Sequence, residues 1–451
     1  MYMGAFVGLG GSMSGWIITR RRTTRRNPFR KMLDPLRGLL NNACKADLPC
    51  ASATVVSATS ELFHHETVSR NGENNDTTIP KSRKGSLNLQ DASANGQVFW
   101  LASCTKLITS IACMQLVEQG KLTLDDGDEL EGLCPELRDI KVLNRDGSTS
   151  EKNKKITLRM LLTHTAGFGY SFLNYKLEKY NYNEFSGLAQ DFHQPLVNQP
   201  GERFEYGISI DWAGIAVERA TQSRLGDYMQ KHIFTPAGIK ELSLVPSKDM
   251  RDRLAGIWQR DANGRLSPRL YPLDRPLAPD RASETFQSGG AGVWGTTHEY
   301  SSMCPCPNVS TELLRVLLNN GTSPLTGEAI LRPETVDMMF ENQLPNDPNF
   351  ARVELPAVEP ELVHPAKELY PLCPASEPQG WGLGFMISGG VTGRSNHTVH
   401  WSGLSNCFWW CDREKGVAGI VASQVLPFAD LKAVQLWADV ETATYNDLAE
   451  G

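Results

Sequence analysis

Apolar and polar positions divide the chain into short extended runs near its two ends and helical stretches between them. Residues 51–57 (Ala-Ser-Ala-Thr-Val-Val-Ser) and 97–101 (Gln-Val-Phe-Trp-Leu) read as strands. The polar segment 66–96 between them, rich in Gly, Asn, Ser and Lys, reads as a mobile connection. From Ser103 to Gln119, Leu107, Ile108, Ile111, Met114, Leu116 and Val117 recur at helical spacing, and Gly120 is placed to end the helix. Further helical patterns cover 156–163, ahead of a His-Thr-Ala-Gly turn at 164–167, and 210–221. Near the C-terminus two aromatic or apolar runs, 407–411 and 417–423, flank a polar Asp-Arg-Glu-Lys-Gly turn, which is a hairpin signal.

Strands at both ends with helices between them predict an α+β fold: an antiparallel sheet formed from both chain termini, flanked by helices, with a mostly helical insertion region. Residues 1–34 are expected to be a basic, disordered extension, and 35–445 one catalytic domain. The Pro-rich stretch 340–378, with its repeated acids, reads as a long surface insertion flanking the site.

Composition narrows the function. With 451 residues, 40% of them hydrophobic, the chain can bury a large core. A net charge of -6 gives no general attraction for polyanions, so no nucleic-acid partner is expected. No stretch is long and apolar enough to span a bilayer.

The ten cysteines contain no C-x-x-C pair and fit no zinc spacing, so reduced thiols in a cytoplasmic enzyme are expected. A mitochondrial presequence is the alternative. Arg20, Arg21, Arg22, Arg25, Arg26, Arg30 and Lys31 follow an apolar start, with no acid before Asp34, whereas a secretory signal carries its positive charges first.

The nine histidines form no H-x-x-x-H or H-E-x-x-H pair, and neither a metal nor a cofactor is expected. Gly289-Gly290-Ala291-Gly292 lacks the remainder of a phosphate-binding motif and reads as a tight turn. The absence of G-x-S-x-G argues against an α/β-hydrolase.

Three segments carry candidate chemistry. Ser103-Cys104-Thr105-Lys106 is an S-x-x-K tetrad, and residues i and i+3 of a helix share a face, so the Lys106 amine can reach the Ser103 hydroxyl. The N–H groups and positive dipole of a helix start favour an oxyanion and a neutral amine there. A chain of this length contains on the order of one such tetrad by chance, so an N-capping Ser with a solvated Lys is the competing reading. Cys104 is a rival nucleophile, about 100° around the helix from Ser103.

Tyr206 supplies a phenol able to relay protons beside a Lys, or simply a half-buried hydroxyl. His400-Trp401-Ser402-Gly403 reads as an edge strand lining a groove. Gly403 would admit an acyl group, the next backbone N–H would complete an oxyanion hole, and His400 is a general base ranked behind Lys106.

Taken in order, these segments resemble the class C β-lactamase branch of the serine penicillin-binding superfamily, from about Phe99 to Ser423. The landmarks are F-W-L-A-S-C-T-K at 99–106, E-Q-G-K-L-T-L-D-D at 118–126, L-L-T-H-T-A-G at 161–167, and the P-G to Tyr206 segment from 200. They continue with S-G-G-A-G-V-W-G-T-T at 288–297, G-W-G-L-G-F at 380–385 and H-W-S-G at 400–403. The resemblance implies Ser103 as the acylated nucleophile, Lys106 as its base and Tyr206 as the Tyr of the family's Y-x-N motif. It implies an oxyanion hole from the N–H groups of Ser103 and Leu404.

Two departures stand out. Ile208 replaces the Asn of Y-x-N, and Trp401 replaces the Lys of the family's K-T-G strand. Both of those polar groups address a β-lactam, so antibiotic hydrolysis is not expected.

The Trp-x-Gly at 401–403 and the Tyr-x-x-x-x-Asp-Trp-Ala-Gly at 206–214 look like the family VIII carboxylesterases and the fungal lovastatin-type acyltransferases. The implied function is transfer of an acyl group from a thioester or ester to a small-molecule hydroxyl, in secondary metabolism. The donor would be carried by a carrier protein or coenzyme A. Water as acceptor would give a carboxylesterase, and a mitochondrial peptidase-like or filament-forming homologue is a further alternative.

Overall fold

The computed structural model describes residues 30–69, 96–301, 313–366, 370 and 372–450. Helix α1 (Arg30–Ala46) leads into the hairpin β1 (Cys50–Ser57) and β2 (Glu61–Val68). Strand β3 (Phe99–Ala102) then turns directly into helix α2 (Thr105–Glu118). A helical and looped region follows, containing α3 (Leu158–Leu162), α4 (Ser209–Thr221) and the short strands β4 (Leu242–Ser243) and β5 (Val293–Gly295). The chain returns through β6 (Gly380–Trp381), β7 (Met386–Ile387), β8 (Val399–Gly403), β9 (Cys407–Asp412) and β10 (Val417–Ala422), and ends in α5 (Leu431–Glu450).

The main sheet is antiparallel, in the order β6-β7-β8-β9-β10-β1-β2. Its two halves come from opposite ends of the chain and meet where β1 pairs with β10, from Ser52↔Ala422 to Ser57↔Val417. Strands β9 and β10 are buried at every position, which is why they read as unbroken apolar runs. Helices α1 and α5 pack together against this sheet. A smaller sheet, β3-β5-β4, supports the start of α2. The α+β sheet formed from both termini is therefore present.

Several boundaries differ from the sequence expectation. The connection expected at 66–96 begins later, because β2 extends to Val68. Polar His64, His65 and Glu66 on this edge strand hid its pattern. Residues 70–95 lie outside the described residues, as do 1–29 of the expected extension. The described residues begin within that extension, at Arg30, and α1 buries Leu36, Leu40 and Cys44 at a four-residue spacing. Helix α5 runs past 445 to Glu450.

The Pro-rich stretch 340–378 is not a surface insertion throughout. It inserts Phe350, Leu362, Val363 and Tyr370 into the core. All eight described cysteines are free and buried, with Cys304 and Cys306 outside the described residues. No helix among the described residues is long and apolar enough to cross a membrane.

Candidate active site

Ser103 stands at the bend between β3 and α2. Ala102, with φ +44°, adopts a left-handed conformation uncommon for a residue with a side chain, and this reverses the chain within two residues. The bend is held by Thr105, whose hydroxyl donates to the Ala102 carbonyl at 2.6 Å and accepts the Val293 N–H of β5 at 2.9 Å. The tetrad's third residue thus fixes its first.

Lys106, on the first turn of α2, is fully buried. Its Nζ donates to Ser103 Oγ at 3.1 Å, to the Tyr170 hydroxyl at 3.1 Å and to the Gly290 carbonyl at 3.0 Å. It also lies 4.7 Å from the centre of the Tyr206 ring. Three partners use all three ammonium donors, so Lys106 is not a solvated surface lysine. Cys104 faces elsewhere. It is fully buried against the Cys407 carbonyl, and burial pushes its thiol well above the usual range, away from nucleophilic use.

Tyr206 meets Lys106 through its ring, while its hydroxyl accepts the Trp401 Nε1–H at 3.1 Å. Its ring packs on Tyr170, His164 and Trp401 at centroid distances of 5.2, 4.9 and 5.0 Å. Close approach requires the next residue, Gly207, to lack a side chain: a Cβ there would lie 2.5 Å from the Phe168 carbonyl oxygen. His164 is buried, and burial together with the Lys106 charge pushes its imidazole far below its ordinary range, so it is a neutral support for Tyr206.

Sequence reasoning missed three participants. Tyr170 bonds Lys106 directly. Burial, reinforced by Asp211, Tyr206 and Glu184, pushes its phenol well above the ordinary range and keeps it neutral. The Gly290 carbonyl was unreadable because the glycine cluster signals only the turn that it does form. Asp211 is the third. Its Oδ1 accepts the Ser288 hydroxyl and, at 3.0 Å, the Gly290 N–H, fixing the residue whose carbonyl holds Lys106. Burial raises its carboxyl, while the charge of Lys106 and the bonds from Ser288 and Gly290 act the other way. The Asp in the 206–214 segment was its one visible signal.

The H-W-S-G segment divides. Strand β8 pairs with β7 only at Val399 and His400, so 401–403 form an open edge beside Ser103. Trp401 and Leu404 line the pocket with Ser103. Gly403 serves a different purpose from the one expected: a Cβ there would lie 2.3 Å from the Leu101 carbonyl oxygen, so the missing side chain admits β3 rather than an acyl group. His400 is on the opposite face, where its Nε2 pairs with Ser388 Oγ at 2.8 Å and its ring stacks near Tyr370. Burial, aided by Arg394, pushes its imidazole far down. It is not placed to act as a base on Ser103.

The pocket around Ser103 is mainly apolar, with Phe172, Phe185, Leu355 and Val363 in its walls. Ile208 is fully buried at the start of α4 and offers no amide, and Trp401 offers an indole in place of a cation. Among the described residues no cluster of three or more His, Cys, Asp or Glu could hold a metal ion.

A Ser–Lys pair with its lysine buried, on a strand-to-helix bend beneath an antiparallel sheet built from both chain ends, defines a family. The Beta-lactamase family model matches residues 86–358, and the chain belongs to the β-lactamase family as one of its enzymes. It is 34% identical to a lovastatin esterase of Penicillium rubens over 366 residues, covering 74% of this chain and 83% of that protein. It is 31% identical to a monacolin J acid methylbutanoyltransferase of Aspergillus terreus over 378 residues, covering 78% and 82%. Unliganded simvastatin synthase from A. terreus superposes with a TM-score of 0.70 at 27% identity, covering 94% of this chain and 100% of that one.

Proposed function

We propose that the protein is a serine acyltransferase that moves an acyl group from a thioester or ester to a small-molecule hydroxyl through an acyl-enzyme on Ser103. The observation that carries this reading is the Lys106 Nζ, buried and 3.1 Å from Ser103 Oγ, at the foot of an apolar pocket. Ser103 Oγ attacks the donor carbonyl as Lys106, with Tyr206, accepts its proton. The N–H groups of Ser103 and Leu404 stabilise the tetrahedral oxyanion.

The C–S or C–O bond to the leaving group then breaks, and the leaving group takes the proton. The acceptor hydroxyl attacks the Ser103 ester in the reverse sense and restores the free enzyme. Relatives named as a methylbutanoyltransferase and as an esterase support this chemistry with either an alcohol or water as acceptor. We assign the donor to a carrier protein or coenzyme A. Eight free, buried thiols support a reducing, cytoplasmic setting.

Incubation with p-nitrophenyl esters and acyl thioesters, read by intact mass, tests the assignment. A single acyl adduct on Ser103 is expected, and Ser103→Ala should lose the adduct and at least about 10³-fold in turnover. Faster release by alcohols than by water marks a transferase. Full turnover by Ser103→Ala would overturn the mechanism.

A further inference from the structure

A second apolar cavity adjoins the Ser103 pocket and is the more enclosed of the two. Leu355, Trp401, Ser402 and Phe428 line both, so the two meet across the open edge of β8. The second cavity lies on the His400 face of that strand, and α5 contributes Val434 and Trp437 to its wall.

Two groups in this wall lack what their chemistry requires. The Tyr370 hydroxyl and the Trp437 Nε1–H are buried and find no hydrogen-bond partner among the described residues, although Tyr370 is only 5% and Trp437 only 3% exposed. Buried polar groups are usually paired, and an acceptor atom entering this cavity would offer these two a partner.

The nearby charges are already closed. The Arg394 guanidinium, beside the Tyr370 and Trp437 rings, is paired through two nitrogens with the fully buried Glu441. His400 is neutral and bonded to Ser388. The described wall therefore presents donors and apolar surface but no uncompensated charge.

We propose that this cavity is a subsite for the distal end of the acyl group, and that it takes an apolar chain bearing a neutral oxygen, such as a keto or hydroxyl group, against Tyr370 and Trp437. The inference rests on Ser103 as the acyl carrier. An acceptor must enter and leave within each cycle, whereas the acyl group stays tethered to Ser103 through both half-reactions. The more enclosed cavity suits the tethered group.

The test compares p-nitrophenyl acetate, octanoate and 7-oxo-octanoate with the whole protein. The wild type should prefer both long esters to acetate. Val434→Phe, which fills the cavity from α5, should lower kcat/KM for octanoate on the order of tenfold or more and leave acetate unchanged. Tyr370→Phe should cut the preference for the oxo ester over octanoate by about three- to tenfold, again sparing acetate. Val434→Ala, which enlarges the cavity, should favour still longer chains.

Chain-length profiles that stay the same in the Val434 variants, equal losses on all three esters, or a wild type that prefers acetate would each overturn the subsite. None of these results would touch the Ser103 assignment, which fails only if no ester labels Ser103 in the wild type.

Discussion

At the scale of single residues, the Ser–Lys pair is set by a group that touches neither substrate nor serine. Asp211 holds the Gly290 N–H, and the carbonyl of the same residue takes one of the three Lys106 donors. Asp211→Asn keeps an oxygen for the Gly290 N–H, whereas Asp211→Ala removes that anchor. Asp211→Ala should therefore slow acylation of Ser103 on the order of tenfold, with Asp211→Asn losing less. Adduct formation on an activated ester measured for both variants checks this, and equal rates would show that the Asp211 anchor does not position Lys106.

At the scale of elements, β8 and the β3–α2 bend are locked together by the absence of one side chain. Gly403→Ala would drive a Cβ into the Leu101 carbonyl oxygen, backbone against backbone, with no flexible neighbour to yield. A loss of about 1–3 kcal/mol is expected, together with reduced acylation, because the strain is delivered to the bend that carries Ser103. Thermal melting and adduct formation measured side by side test this, and an unaltered melting temperature would refute the packing account.

The same region shows what a sequence can and cannot reveal. Ser103, Lys106 and the β9–β10 hairpin were legible because a helical period and two unbroken apolar runs are local signals. Helices α1 and α5 were missed, although α1 buries a regular stripe, because each becomes stable only by packing on the other and on a sheet assembled from distant segments. Tyr170 lies in an irregular stretch with no period to read, and its bond to Lys106 spans 64 positions. Gly403 was expected to admit an acyl group, but what approaches it, the Leu101 carbonyl, could be read only from the fold.

At the scale of the molecule, the main sheet and the small sheet behind Ser103 are joined by the short helix Thr297–Ser301. Thr297 Oγ1 meets Ser52 Oγ of β1 at 2.6 Å, and Glu299 Oε2 accepts the Lys240 N–H at 2.8 Å, two residues before β4. Burial pushes the Glu299 carboxyl up to about 7, against the pull of that backbone N–H, and its Oε1 finds no partner among the described residues. The native state therefore holds a proton that the unfolded chain releases near 4.5.

A raised carboxyl of this kind contributes stability that is complete below the unfolded value and is lost as pH rises through the folded one. The gap corresponds to at most about 3 kcal/mol, lost between roughly pH 4.5 and 7. This contribution should thus fall from pH 5 to pH 8, against the opposite slope that the buried neutral His164 and His400 supply, and Glu299→Gln, which keeps an acceptor for Lys240 and carries no ionisable proton, should remove it. Urea unfolding of both proteins at pH 5, 6, 7 and 8 measures the difference. Parallel curves would mean that Glu299 keeps the same proton affinity folded and unfolded, and that the junction between the two sheets is insensitive to its charge.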